Sequence, residues 1–387
     1  MFPQSNIESF RASLQEDGAL SIIIQGSLYD HNLVEVATNC QHWRDLFPRA
    51  EIILSIAVTD ILVGSKGRRV LLEEARLIPV HRHNGLFQTA LARINGACDK
   101  ICLSEGALPL PPIKFDHKIN NINLQIVAAQ AGLDVVSSLY TLRIRNDMVF
   151  ASDEFIAFYG DNYAIPRPFT SLLRQRVMIS PLFTLNPFTM ERIPFHFSDW
   201  FHFGLTEDIR RIWDVPEMPL RDAIYHNTHR HAPHSNSLER KFRVRFAVEQ
   251  YISFKFLSKM MPMLCLSYIN EPEAAERSME ILLSEFLISD LKTIELVFEK
   301  YTKAMNDPNM ALLCVMHSQW RMLNENPPKT SFRAYYEHDA RRARKLILIR
   351  EEPSMKLIKF WFGAQKYVMR RLGMTFSLIR NAVLLLR

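Results

Sequence analysis

Residues 20–56 run LSIIIQGSLYDHNLVEVATNCQHWRDLFPRAEIILSI, and the succession of patterns in this stretch decides the fold. Residues 20–25 are a β-branched apolar run that stops at Gly26, residues 32–47 carry helical spacing closed by Pro48, and residues 51–56 are apolar again. Strand, helix and strand at these lengths make a βαβ unit, whose strands pair in parallel and are covered on both faces. In such sheets ligands collect outside the carboxyl ends of the strands. That places the search for chemistry at Gln25, Gly26 and Ser27, and at residues 57–60.

Downstream, the spacing predicts a helix over residues 118–131, with Ile119, Ile122, Ile126 and Ala129 on one stripe and Gly132 placed to end it. Its other side carries Asn120, Asn121, Asn123 and Gln125, amides with no charge among them. Asn121 and Gln125 are four apart and point the same way, either into solvent or toward a ligand. Residues 138–147 (SLYTLRIRND) alternate as a strand that puts Thr141, Arg143, Arg145 and Asp147 on one face. Two guanidinium groups can grip a diphosphate while a carboxylate holds a bridging divalent cation; a salt-bridge ladder is the plainer alternative.

Residues 195–204 (FHFSDWFHFG) set Asp199 among Phe197, Trp200, Phe201 and Phe203. Partial desolvation there would raise its carboxyl pKa toward that of a general base, the alternative being a turn or helix cap. Glu249 opens an aromatic helical stretch, where a buried carboxylate is either paired with an arginine or functional. His226, His229, His231 and His234 fall within nine residues. Without helical periodicity they suggest a flexible, solvated loop rather than a zinc site.

Residues 273–305 and 309–322 are helical in pattern, and NENPPKTS at 324–331 has the composition of a linker. The expected organisation is a sheet domain over 1–260, a helical extension over 261–323, a linker over 324–340 and a tail over 341–387. Charge follows this division. The tail holds 12 Lys and Arg against 2 acids, so the net +6 of the whole chain is a +10 tail on a −4 body. Trp361, Val368, Leu372, Phe376, Ile379, Val383 and Leu386 form one stripe of the tail, with Lys359, Lys366 and Arg370 opposite. A basic, aromatic amphipathic helix suits an anionic bilayer surface, or docks on its own domain. Nucleic acid is not the expected partner, because the apolar face fits acyl chains better than bases and the body has no second basic patch. Five scattered cysteines, no secretory leader and no run of 18 uncharged apolar residues lead to a cytoplasmic protein, peripheral on the inner face of the cytoplasmic membrane.

Seven segments together resemble the WavE lipopolysaccharide synthesis family. They are SIIIQGSL (21–28), DLFPRAEIILS (45–55), NNINLQIVAAQAGL (120–133), YTLRIRND (140–147), TLNPF (184–188), PFHFSDWFHFGLTEDI (194–209) and VEQY (248–251). The string around Asp199 and Trp200 is the most specific. The resemblance implies an α/β, GT-A-like nucleotide-diphospho-sugar transferase fold, a mainly parallel sheet flanked by helices with a C-terminal helical extension. It implies a nucleotide sugar held by Gln25, Gly26, Asn121, Gln125, Arg143, Arg145 and Trp200, with Mg²⁺ or Mn²⁺ on Asp147. Asp199 or Glu249 would deprotonate a lipid-linked saccharide acceptor in lipopolysaccharide or capsular polysaccharide synthesis. Two other classes remain in play: a non-catalytic membrane-associated scaffold, and a sugar nucleotidyltransferase, which would release pyrophosphate.

Overall fold

The computed structural model describes residues 4–29, 31–57, 62–63, 68–73, 76–79, 85–115, 119–169 and 171–351. The chain forms two compact units, Met1–Tyr336 and Glu337–Arg387. Of the second, the described part is the helix Glu337–Glu351. The tail stripe from Trp361 to Leu386 lies outside the described residues. No helix among the described residues is long and apolar enough to cross a membrane.

Unit 1 opens with α1 (Gln4–Leu14), then β1 (Leu20–Gln25), α2 (Leu33–Leu46) and β2 (Glu51–Ala57), the expected βαβ unit. Short strands β3 (Leu62–Val63), β4 (Arg68–Glu73) and β5 (Arg76–Pro79) form a small antiparallel sheet. After α3 (Gly85–Ala97) come β6 (Lys100–Ser104), α4 (Ile122–Asp134) and β7 (Tyr140–Arg145). Then follow β8 (Val149–Phe150), α5 (Glu154–Asn162), β9 (Val177–Ile179), β10 (Phe201–Leu205) and α6 (Thr206–Trp213). Farther along lie α7 (Leu220–Ala223), α8 (Val248–Met260), α9 (Ala274–Glu285), β11 (Phe286–Ile288) and β12 (Leu296–Val297).

The main sheet has seven strands in the order β11-β9-β10-β7-β1-β2-β6. Only β10 runs against its neighbours; the other pairings are parallel. Along the chain, β1, β2 and β6 step outward to one edge, and the chain then returns to β7 on the other side of β1. This reversal makes the β1/β7 junction the topological switch point, where a crevice opens beyond the strand ends. Every residue of β1 is buried, as its unbroken apolar run requires. Ile22, Ile24, Leu142 and Trp43 are all fully buried, each burial contributing about 1.5–3 kcal/mol for side chains of this size.

Helix α4 lies on the β1/β2 face that presents Ile23 and Ser55. Gly132 sits inside this helix rather than ending it, because a Cβ there would stand 2.7 Å from the Ile23 side chain and 3.2 Å from that of Ser55. The glycine lets helix and sheet approach closely, and Ser55 Oγ donates to the Ala128 carbonyl at 2.6 Å across the contact. Because α4 begins only at Ile122, Ile119 leaves the apolar stripe and is 64 % exposed.

The stretch from 261 to 323 is not wholly helical. Phe286–Ile288 adds β11 to the edge of the main sheet beside β9, and β12 pairs with β8. A three-residue strand is too short to show alternation, so helical spacing on either side of it dominates the pattern. Residues 324–331, linker-like in composition, lie within the compact unit, where Asn324 Oδ1 accepts from buried Arg176 at 2.7 Å.

Candidate functional site

A cleft of about 670 Å³ opens at the switch point. Its walls include Gln25, Gly26, Asn121, Gln125, Arg143, Arg145 and Asp147, brought together from the end of β1, the start of α4 and the end of β7. Parallel pairing explains the convergence. Gln25 is level with Arg145 and Ile23 with Arg143, so the ends of β1 and β7 reach the cleft side by side.

Arg143 is the centre of this wall. It is 1 % exposed, and its guanidinium donates from Nε to Gln25 Oε1 at 2.5 Å, donates from Nη1 to the Asp199 carbonyl, and stacks 4.3 Å from the Trp213 ring centroid. Those acceptors are neutral, and Arg143 forms no salt bridge among the described residues. Burial pulls its pKa down to about 10, against an upward pull from the charge of Asp199 and with a further downward push from Arg145. His202, level with Arg143 on β10, accepts from Trp213 Nε1 at 3.3 Å through Nδ1, which keeps that nitrogen bare. Burial, and then the Arg143 charge, hold this imidazole well below its ordinary pKa.

Gln25 is oriented by two partners, since its Nε2 donates to the Gln125 carbonyl at 2.6 Å while Oε1 faces Arg143. The side-chain Oε1 of Gln125 is buried without a hydrogen-bond partner, an acceptor at the cleft wall in want of an N–H or O–H donor. Asn121 is the residue before the first turn of α4, so that helix directs its positive dipole end to the cleft. The amide face thus divides. Asn121 and Gln125 line the cleft, whereas Asn123 is buried and exchanges two hydrogen bonds with the Met218 backbone at 2.7 and 3.1 Å.

Arg145 forks onto Asp147, donating from Nε to Oδ1 at 2.9 Å and from Nη2 to Oδ2 at 2.7 Å. A cation on Asp147 would have to share or displace that guanidinium. Two further carboxylates, Glu35 and Glu299, line the same cleft, and burial followed by the charges of Asp147 and Glu299 raises the Glu35 pKa. Among the described residues no group of three or more His, Cys, Asp or Glu is arranged to hold a metal ion.

The glycine after β1 makes room for the Asn146 side chain. A Cβ on Gly26 would lie 2.1 Å from Asn146 Oδ1, and the Asn146 amide donates to the Ser27 carbonyl at 2.6 Å, tying the two strand ends together. Gly26→Ala is expected to displace that side chain and lower stability by about 1–2 kcal/mol. In a double-mutant cycle read by denaturant unfolding, adding Asn146→Ala should recover part of the loss; strictly additive effects would contradict the contact.

The remaining residues expected at the site stand outside the cleft wall. Asp199 is 5 % exposed and reaches the cleft through its backbone carbonyl on Arg143. Trp200 is buried among Phe183, Phe298 and Tyr301, with ring centroids 4.8–5.6 Å away. Glu249, in the first turn of α8, keeps 17 % of its side chain exposed. Burial first, and then the charge of Asp199, push its pKa up to about 8. Its contact is His196, whose Nε2 lies 3.3 Å from Glu249 Oε2. His196 was missed in the sequence, because one histidine in an aromatic string has no partner within local spacing.

The loop with four histidines is partly packed: His226 is buried and His231 half-buried, whereas His229 and His234 are exposed, as a solvated loop requires. His226 stacks on His231 at 3.8 Å and His229 on Tyr225 at 4.0 Å, face-to-face contacts that do not converge on a metal.

No curated protein matches the chain in sequence. One solved structure, titled as an active-site mutant of LgtC, aligns with 78 % of this chain and 99 % of its own at 9 % identity and a TM-score of 0.31, a likeness that carries no further argument. The profile of the WavE lipopolysaccharide synthesis family matches residues 114–348, more than half of the chain. That match takes in the Arg143/Arg145/Asp147 strand end, Asp199, His196 and Glu249, and the chain belongs to the WavE lipopolysaccharide synthesis family.

Proposed function

We propose that the protein is a GT-A-like glycosyltransferase that moves a sugar from a nucleotide-sugar donor to a lipid-linked saccharide during lipopolysaccharide or capsular polysaccharide synthesis. One observation carries this reading. Arg143 is a buried cation with only neutral hydrogen-bond acceptors, at the switch-point cleft that parallel sheets use for ligands. A diphosphate supplies the anionic partner that Arg143 lacks in direct contact, and the first turn of α4 adds backbone N–H groups and a favourable dipole. The bare Oε1 of Gln125 suits an N–H of a base or a ribose hydroxyl.

In the reaction the acceptor oxygen attacks the anomeric carbon, the bond from that carbon to the phosphate oxygen breaks, and the nucleoside diphosphate leaves with the electron pair. Arg143 and Arg145 offset the charge that develops on the leaving phosphate. The acceptor proton passes to Glu249, which stands outside the cleft wall but near enough to feel the charge of Arg145, and whose pKa of about 8 makes it a proton acceptor once its own proton has moved on. Asp147, gripped by Arg145, aims that guanidinium. None of these steps passes through a metal.

The test is a thermal-shift screen of the full chain with nucleotide sugars, with and without Mn²⁺, followed by product analysis. The expected result is stabilisation by one donor and release of a nucleoside diphosphate. Pyrophosphate would identify a nucleotidyltransferase, and no binding at all would favour a scaffold. The Mn²⁺ comparison reads whether a cation takes Asp147 from Arg145.

For the basic tail we propose contact with an anionic membrane surface from the cytoplasmic side, each base near the surface contributing about 1 kcal/mol. The full chain is expected to sediment with vesicles containing anionic lipid, and much less with neutral vesicles or when shortened to residue 340. Equal sedimentation in all cases would remove the membrane from this account.

A further inference from the structure

His196 is held with unusual insistence. Its Nδ1 lies 2.7 Å from the carbonyl of Phe183, and its own carbonyl accepts from Leu185 N at 2.9 Å. Both phenylalanines that bracket this arrangement have left-handed backbone, with φ 65° at Phe183 and 57° at Phe195. Bulky residues avoid that region, and such strain persists where the surroundings over-determine it, most often at functional sites. Phe195 is pinned further by its N–H to Ser278 Oγ at 2.7 Å.

The hydrogen bonds assign the proton. A carbonyl oxygen only accepts, so Nδ1 must carry the hydrogen that meets Phe183. A neutral imidazole then has a bare Nε2, and that nitrogen faces Glu249 Oε2 at 3.3 Å. The contact becomes a hydrogen bond when the carboxyl group is protonated and donates to Nε2.

We infer that His196 is a positioning residue for Glu249, holding it as a carboxylic acid whose proton lies on the line to Nε2. This rests on the sugar-transfer reading only for its catalytic consequence. As the acceptor hydroxyl gives its proton to one Glu249 oxygen, the carboxyl's own proton crosses to His196 Nε2, leaving imidazolium beside a carboxylic acid. One acceptor O–H bond breaks and one Glu249 O–H bond forms, while the original proton moves from oxygen to nitrogen, so the count balances.

The surrounding charges support this protonation pattern. Burial holds the imidazole below its ordinary pKa and holds the carboxyl up. The other groups facing the pair are Asp199, Arg145 at the end of β7, Tyr301, the buried Cys314 thiol, whose pKa burial raises, and Lys114 with Glu191, themselves paired at 2.9 Å. Asp199 favours keeping the Glu249 proton, whereas Arg145 and Lys114 favour releasing it.

The test is a long-range ¹H–¹⁵N spectrum of the full chain labelled at histidine, titrated through neutral and mildly alkaline pH. The expected result is a neutral His196 protonated on Nδ1, whose Nε2 signal moves in one step near pH 8 as Glu249 ionises, a step absent from Glu249→Gln. Proton on Nε2, imidazolium at neutral pH, or a step that survives Glu249→Gln would each overturn the inference. In transfer assays His196→Asn, which keeps a donor for Phe183 and loses the acceptor for Glu249, should lower kcat on the order of tenfold with little change in donor KM. His196→Gln, which can still present an acceptor, should recover part of that loss; equal losses at matched melting temperature would count against positioning. If the spectra behave as expected and no sugar is transferred by any form, the transfer reading fails and the proton pair stands.

Discussion

Arg143→Met is expected to weaken binding of a nucleoside diphosphate by about 10- to 150-fold while leaving the melting temperature nearly unchanged. The affinity loss is that of charge-assisted hydrogen bonds, about 1.5–3 kcal/mol. The stability forecast comes from opposing contributions. A guanidinium that burial pulls below its ordinary range, to about 10, carries a cost on the order of 3 kcal/mol, which methionine removes. Against it stand two charged hydrogen bonds and the stack on Trp213, of similar combined size. A buried cation that contributes little to folding and much to ligand capture is a group positioned for an anion. Titration calorimetry with the nucleotide found by screening, alongside a thermal melt, checks both halves; unchanged affinity would remove Arg143 from the site.

Glu249→Gln is expected to lower the transfer rate by about 10²- to 10⁴-fold, the usual contribution of an acid–base group. The same substitution should raise stability at alkaline pH. The carboxyl pKa is raised on folding, from 4.5 to about 8, so the protonated form is the one the fold favours. Its contribution is full below pH 4.5, is lost as pH rises toward 8, and above that leaves a buried carboxylate that disfavours folding. Glutamine has the shape and hydrogen bonding of the acid and no such loss. The variant should therefore equal the wild type at low pH and gain on it through this window, as read by unfolding at a series of pH values. Parallel curves would show that Glu249 does not titrate in this range.

The parallel sheet was legible in residues 20–56 because apolar strands buried on both faces need no alternation to be seen. The same logic located Gln25, Gly26, Arg143, Arg145 and Asp147, since residues that follow parallel strands emerge at one end of the sheet. Asn121 and Gln125 were legible as a pair, and the absence of charge beside them was the useful signal. What misled was local. Gly132 has the look of a helix stop, yet it marks where α4 meets Ile23 and Ser55, partners about 110 and 77 residues away that no window contains. Trp200 stands in the most distinctive string of the chain, and its distinction is packing among Phe183, Phe298 and Tyr301.

By itself, then, the sequence determined the sheet, the end of it where the cleft opens, and about half of the side chains lining that cleft, because strand direction and residue order convert directly into position. It also determined the basic tail, since net charge is a sum that needs no fold. Only the tertiary structure decided which carboxyl group beside His196 has its pKa pushed up to about 8. That property belongs to Glu249 through burial, the charge of Asp199 and the bare nitrogen of His196, and each depends on distances between segments some 50 residues apart in the chain.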